Sequence, residues 1–488
     1  MFMNLKSQFI ALFVGSSVLL GVSACRVAHT PAAIPSLALP DSYAGSLSEA
    51  SSDSASIAND PYRRLFTDAN LVSLIDTALA NNPDLRIALQ RIEGTRAQYG
   101  ISNAALLPRV DAVASIGVDR FGRYTLNGVG NYDTNFSEYV TGSSRIPNPT
   151  PDYFIGLRSS WEIDIWGKLR NRRRAAYNRV LASEEGRNYI VTALVSDVAR
   201  LYFTLLSLDA ELEIIEDNIE LQEQALKLVE VQKAAGRVTE LAVQQFRAQL
   251  LNTKGLEGGV RQQIQEAENQ INVLLGRYPQ PIVRGISIRE QQLPSTVVAG
   301  IPSQLISRRP DIRQAERELE ASNIDVAVAR AEFLPSLNLT PYLGLNAFRL
   351  GVLANPQSVA AGLVGGLSAP IFNRRLLKGN LRVEEAESKE AFITYQRTVL
   401  TGVSEVVNSL KGLENYRNVA DFKTEEVAVL RQAARTSDNL FATGYATYLE
   451  VITSQRSVLE SELSLINTKR AQFLSLVDLY RALGGGWR

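Results

Sequence analysis

The segment 191–219, VTALVSDVARLYFTLLSLDAELEIIEDNI, decides the architecture. Val191, Leu194, Val198, Leu201, Leu205, Leu208, Leu212, Ile215 and Ile219 are spaced alternately three and four residues apart, and Leu226 and Val229 keep the register. An apolar period of 3.5 residues winds helices into a left-handed supercoil. No proline occurs between Lys168 and Ala235, so the spacing predicts one helix roughly 100 Å long at 1.5 Å per residue. A helix of that length cannot pack inside a compact domain; it makes a fibre, a stalk or the wall of a tube. Val260, Ile264, Ala267, Ile271 and Leu274 repeat the seam on a return helix, and Leu459, Leu463, Ile466, Phe473, Val477 and Tyr480 repeat it again near the C-terminus.

Outward from this segment the chain reads as two copies of one plan. Asn82-Pro83-Asp84-Leu85-Arg86 matches Arg309-Pro310-Asp311-Ile312-Arg313, and Leu106-Leu107-Pro108 matches Phe333-Leu334-Pro335, both at an offset of 227 residues. Ile165-Trp166-Gly167 matches Ile371-Phe372-Asn373 at 206. Gly236-x-x-Thr239-x-Leu241-x-Val243 matches Gly444-x-x-Thr447-x-Leu449-x-Val451 at 208. The drop in offset places an insert in the first copy around Tyr124 to Thr150, rich in Gly, Asn, Ser and Pro, which is expected to be an exposed loop. Each copy should contain a helix, two strands, a very long helix, a turn and a long helix. The first helix is expected over Pro83 to Leu107. The predicted organisation is a signal peptide (1–24), a tether (25–60), a first repeat (61–281), a linker (282–301) and a second repeat (302–488).

Period-two alternation marks the strands. Val110, Ala112, Ala114, Ile116 and Val118 share one face, and Tyr153, Ile155, Leu157 and Trp161 continue it; Leu337, Leu339, Leu343 and Leu345, then Val359, Ala361, Leu363 and Leu367, do the same in the second copy. Four strands are too few to close a membrane barrel, since the smallest have about eight, and an open sheet edge is not tolerated in lipid. If these strands span a membrane, several chains share one barrel. Lys168, Arg170, Arg172, Arg173 and Arg174 follow the second strand, and Arg374, Arg375 and Lys378 follow the fourth, beside Trp161, Trp166 and Phe372. Cations at a helix N-terminus oppose the macrodipole, whereas an aromatic belt with snorkelling cations suits a membrane interface. The competing reading is a solvated basic helix start.

The N-terminal residues read as an export address. Lys6 precedes the apolar run Phe9 to Leu20, and Val22-Ser23-Ala24 precedes Cys25. Small residues before the sole cysteine resemble a bacterial lipoprotein box, in which Cys25 becomes the acylated N-terminus. Arg26 is compatible with outer-membrane delivery. An ordinary signal peptide followed by a free thiol is the alternative.

Composition removes whole classes of function. Among 488 residues, 51 Lys+Arg balance 51 Asp+Glu, which argues against nucleic acid as a partner. One Cys and one His, His29 near the N-terminus, cannot build a disulfide framework or a Cys/His metal site. Phosphate-loop, zinc-protease and serine-hydrolase motifs are all missing from the sequence. No enzyme activity and no cofactor site are expected. Gly255, Gly258 and Gly259 interrupt a helical pattern and suggest close helix approach or local bending.

Ser307-Arg308-Arg309-Pro310-Asp311-Ile312-Arg313-x-Ala315-Glu316-Arg317-x-Leu319 resembles the hallmark segment of outer membrane efflux proteins, the TolC-like family. More narrowly, it is similar to the NodT-type lipoprotein branch that serves resistance-nodulation-division pumps. The resemblance covers nearly the whole mature chain. It implies a homotrimer with a 12-stranded β-barrel in the outer membrane, continuous with a coiled-coil barrel across the periplasm. It also implies a periplasmic adaptor and an inner-membrane resistance-nodulation-division pump as partners, so that the chain is a passive conduit contacting outer-membrane lipid. A duct for type I protein secretion remains an alternative, and a coiled-coil adhesin or stalk is a second.

The resemblance also assigns roles to the turns. Gly236 and Gly444 should end the outgoing helices in the left-handed conformation, with Arg237, Val238, Tyr445 and Ala446 projecting towards the adaptor. In this family acidic residues just after the second turn ring the periplasmic aperture, and here Glu450 falls on such a position, with Ala242 as its first-copy counterpart. Thr447-x-x-Glu450 is equally a capping box, and both roles stay open.

Overall fold

The computed structural model describes residue 43 and residues 56–140, 142–294 and 298–487. Cys25, His29, the export segment and most of the tether lie outside them. The elements, in order, are α1 (Ala69–Asn81), α2 (Pro83–Ala104), β1 (Arg109–Asp119), α3 (Leu126–Phe136), β2 (Thr150–Ile163), α4 (Lys168–Ala234) and α5 (Glu240–Leu274). They continue as α6 (Pro310–Ala331), β3 (Ser336–Ala347), β4 (Val359–Ser368), α7 (Arg374–Thr443) and α8 (Tyr448–Ala482). The sequence from α2 to α5 thus has the same order of elements as that from α6 to α8, apart from α3.

The chain divides into two compact units. The strand-bearing unit, 94–180 with 318–392, holds one antiparallel sheet in the order β1-β2-β3-β4. Within it, Trp161 Nε1 donates to the Leu106 carbonyl at 3.0 Å and Trp166 Nε1 to the Pro335 carbonyl at 2.6 Å, fixing the strand ends against the turns that precede β1 and β3. The insert is not all loop. Thr125 caps α3 by accepting the Gly128 N–H at 3.1 Å, and Val129, Tyr132 and Phe136 recur at helical spacing, with the Tyr132 and Phe136 rings 4.6 Å apart. The cap and this short apolar face outweigh the Gly and Asn content.

The helical unit, 35–93, 181–317 and 393–488, is held by the predicted seams. Val191, Leu194, Val198, Leu205, Leu208 and Ile215 are buried, as are Leu459, Ile466, Phe473, Val477 and Tyr480. Each such side chain contributes about 1.5–3 kcal/mol of transfer free energy. Phe203 stacks on Phe473 at 4.7 Å, with Phe66 tilted against Phe203 and Tyr480. A second cluster, Val229, Ala242, Val243, Phe246 and Val451, lies beside the two helical turns. The segment 282–294 has no regular structure yet packs tightly. Ile282 and Ile288 are buried, and Arg284 bridges Asp209 at 3.0 Å and Glu268 at 2.6 Å. Helix α5 runs unbroken through Gly255, Gly258 and Gly259, and a Cβ at any of them would meet nothing within 4 Å. Among the described residues the expected close approach is therefore not made.

Candidate conduit surfaces

The sheet has two chemically different faces, and the register assigns every residue to one of them, because directly paired residues point the same way. On one face stand Val110, Ala112, Ala114, Ile116 and Val118 of β1 opposite Tyr153, Ile155 and Leu157 of β2. Leu337, Leu339, Leu343 and Leu345 of β3 and Val359, Ala361, Leu363 and Leu367 of β4 extend it. Ile116, Val118, Leu343, Leu363 and Leu367 are each more than half exposed. The other face carries Asp111, Asp152, Arg158, Glu162, Asn338, Thr340, Tyr342 and Asn346. A broad exposed apolar face on a folded sheet suits lipid or a partner, not water. Among the described residues, β1 and β4 pair with no strand on their outer sides.

At the strand-to-helix junctions the predicted belt residues behave differently in the two halves of the chain. Asp164, which sequence reasoning missed, accepts the N–H groups of Leu169 at 3.0 Å and Arg170 at 2.9 Å, and also Arg170 Nε at 3.0 Å. Lys168 pairs with Glu162 at 2.5 Å. Lys168 and Arg170 thus have acids that offset the helix dipole; an Asp a few residues before a basic helix start is the available signal. After β4 Phe372 is fully exposed, and Arg374 and Arg375 are exposed with no ion pair among the described residues.

Both helical hairpins turn through one backbone device. Gly236 (φ +69°) and Gly444 (φ +85°) are left-handed, as predicted. The Arg237 N–H donates to the Gln232 carbonyl at 2.9 Å and the Tyr445 N–H to that of Leu440 at 2.8 Å, closing the last carbonyls of α4 and α7. Of the four residues expected to project, Arg237 and Tyr445 are exposed. Val238 packs against the Val229–Phe246 cluster and Ala446 is half-buried beside Glu450. They depart from the expectation because each has apolar neighbours within reach of the turn.

The Glu450 carboxylate accepts the Thr447 N–H at 2.5 Å and the Thr447 hydroxyl at 3.0 Å. These bonds, the backbone one first, hold its carboxyl below the usual glutamate range. Glu450 remains exposed, in a groove with Val429, Gln432, Thr436, Leu440 and Ala446. Its counterpart Ala242 is wholly buried. In the first copy Lys233 pairs with Glu240 across the turn instead.

The hallmark segment forms a clasp that sequence reasoning left without a mechanism. Arg309, 5% exposed, holds Asp311 through two bonds of 3.0 and 2.7 Å, Glu405 at 2.7 Å and the Ala482 carbonyl at 2.9 Å. A Cβ on Gly402 would stand 3.3 Å from the guanidinium, so this glycine leaves it room. Among the described residues no group of His, Cys, Asp and Glu is placed to hold a metal ion.

Comparison with known proteins matches residues 74–277 and 301–485 to the family model described as outer membrane efflux protein. The chain is 32% identical over 428 residues to the solvent efflux pump outer membrane protein SrpC of Pseudomonas putida, covering 87% of each. It is 28% identical over 427 residues to the probable outer membrane lipoprotein SilC of Salmonella typhimurium, covering 87% of this chain and 88% of that one. Among solved structures, the open state of the Neisseria gonorrhoeae MtrE outer membrane channel superposes with a TM-score of 0.79 at 25% identity, over 93% of this chain and 97% of that one.

Proposed function

The chain belongs to the outer membrane efflux protein family, and from that membership we propose that three copies build one conduit across the outer membrane and periplasm. The protein is an outer-membrane efflux channel, not an enzyme. The observation that carries the trimeric reading is the sheet, with its exposed apolar face and two unpaired edges. Three such sheets joined edge to edge give 12 strands, close the hydrogen bonding in lipid and turn the polar face inward. Helix α7 supports the same assembly. On it Ile393 and Leu400, and further along Phe422 and Val429, are exposed in pairs seven residues apart, apolar patches that further copies would cover.

In this reading Cys25 carries the lipid anchor. Phe372, Arg374 and Arg375 sit at the membrane interface, with Trp161, Trp166, Lys168 and Arg170 at the matching level of the first copy. The hairpin tips meet a periplasmic adaptor coupled to an inner-membrane resistance-nodulation-division pump. Reconstituted in planar bilayers, the purified protein should form discrete pores and crosslink as a trimer. Leu363→Arg, a charge on the apolar face, should abolish insertion while leaving the helices folded; normal pores from that variant would overturn the face assignment. In cells, Arg237→Cys and Tyr445→Cys should crosslink to the adaptor. Crosslinks arising only from mid-helix cysteines would sink the docking assignment.

A further inference from the structure

The polar face of the sheet holds a cluster that a passive pore does not require. Asp111, Arg158, Tyr342 and Gly362 form one cross-strand row, and Val113, Gly156, Gly344 and Ala360 form the next. Two aromatic side chains cover the glycines. A Cβ on Gly362 would overlap the Tyr342 ring, and one on Gly344 would stand 2.9 Å from Cε2 of Phe154. The two rings meet edge to face, 6.2 Å apart at 74°. The Arg158 guanidinium lies 4.5 Å from the Phe154 centroid. Asp111, directly opposite Arg158, pairs with Arg109 at 3.0 Å, and no ion pair reaches Arg158 among the described residues. Pairing of β2 with β3 lapses at Ser159 and Ser160, opposite Pro341, which has no N–H to donate. A recess of about 500 Å³ lies there, lined by Asp152, Phe154, Arg158, Thr340, Tyr342 and Asn346.

We propose that this recess is a cargo-contact site for planar aromatic anions on the inner wall of the conduit, with Arg158 as its specificity-determining residue. The proposal rests on the channel reading, which turns this face inward. One side of the Arg158 guanidinium is occupied by Phe154, which is itself 4% exposed. Its other side and its N–H edge remain available to stack on a ring and to bind a carboxylate through two parallel hydrogen bonds. Tyr342 borders the recess with a second ring. Within the recess the Asp152 carboxylate accepts the Asn346 amide at 2.6 Å and, among the described residues, makes no ion pair with Arg158. The site is open to the polar face, and binding is accordingly weak and short-lived, as passage through a conduit demands.

Salicylate is the probe, applied to the full-length channel in planar bilayers, with cyclohexanecarboxylate as the non-aromatic anion at equal ionic strength. Salicylate should lower single-channel current at concentrations where cyclohexanecarboxylate does not. Arg158→Gln should weaken that block about fivefold, the scale of a cation–π contact. Arg158→Lys should retain part of the block, and Phe154→Leu should weaken it with the arginine intact; if Arg158→Gln fails to assemble, Phe154→Leu decides alone. Equal block in the parent and these variants, or equal potency of the two anions, overturns the site while leaving the channel standing. A preparation that forms no pores overturns the channel reading and this site with it.

Discussion

The two hairpin-bearing halves of the chain use the same backbone and different side chains. All four long helices end on a left-handed glycine, Gly236, Gly276, Gly444 and Gly484, each followed by an N–H that bonds back to the carbonyl five residues earlier. The polar devices around these turns diverge. Where Arg309 grips Asp311, Glu405 and the Ala482 carbonyl, the first half has Asn82, whose amide donates to the Leu274 carbonyl at 2.8 Å and accepts the Leu85 N–H at 3.0 Å. Gly276 and Gly484 lie against the Asn81 and Arg308 carbonyls in the same manner. Backbone geometry tolerates one solution at each turn, whereas a helix end or a buried carbonyl accepts any donor of suitable reach.

The largest expected effect separates these two clasps. Arg309→Met leaves Asp311 without its cation in a partly buried setting, and Glu405 with only Arg481 at 3.8 Å, and should cost about 3–5 kcal/mol. Asn82→Ala forfeits neutral hydrogen bonds and should cost about 1–2 kcal/mol. Urea titrations followed by circular dichroism read both; equal losses would show that the clasps are equivalent despite their chemistry. A smaller contrast lies at the strand-to-helix junctions. Asp164→Ala should cost about 1 kcal/mol by uncapping α4 and should speed amide exchange at Leu169 and Arg170. The matching position of the second half, Pro370, offers no carboxylate, so Pro370→Ala should leave exchange at the start of α7 unchanged. A slowing there would mean that α7 has a cap of another kind.

The parts legible in the sequence were those written as periodicity or as glycine. Heptad spacing located α4, α5 and α8, alternation located all four strands, and Gly236 and Gly444 located the turns. What escaped depends on contacts between distant segments. The Arg309–Glu405 bond joins residues 96 apart, and a motif read along the chain gives no hint of that partner. The half-burial of Val238 likewise follows from neighbours on α4, α5 and α8. Helix α3 is hard to read because its Gly and Asn content masks one threonine cap and a three-residue apolar face. The Arg158 recess is hidden because the alternation is regular only on the apolar side of the sheet, and the polar side carries no period of its own.

The smallest effect tests the sharpest divergence, Glu450 against Ala242. Ala242 fills the cluster beside the first turn, so the first half has no carboxylate there and three assembled copies would present three from Glu450. The bonds from Thr447 hold the Glu450 carboxyl below its ordinary range. A depressed folded-state pKa means that the cap is fully in place above the unfolded pKa and is lost as pH falls through the folded one. At neutral pH the carboxylate is ionised, exposed and engaged with the backbone, so capping is compatible with the proposed attraction of cations to an aperture. Glu450→Gln keeps a side-chain acceptor for the Thr447 N–H and removes the charge, while Glu450→Ala removes both. Amide exchange over 445–450 at pH 7 should therefore rise only in Glu450→Ala. Reversal potentials in a salt gradient should shift towards lower cation selectivity equally in both variants. If the shift appears in Glu450→Ala alone, the loosened turn is its cause and the ring of carboxylates contributes nothing to selectivity. If it appears in neither, Glu450 is a cap whose absence from the first half reflects only the different way in which Lys233 and Glu240 close that turn.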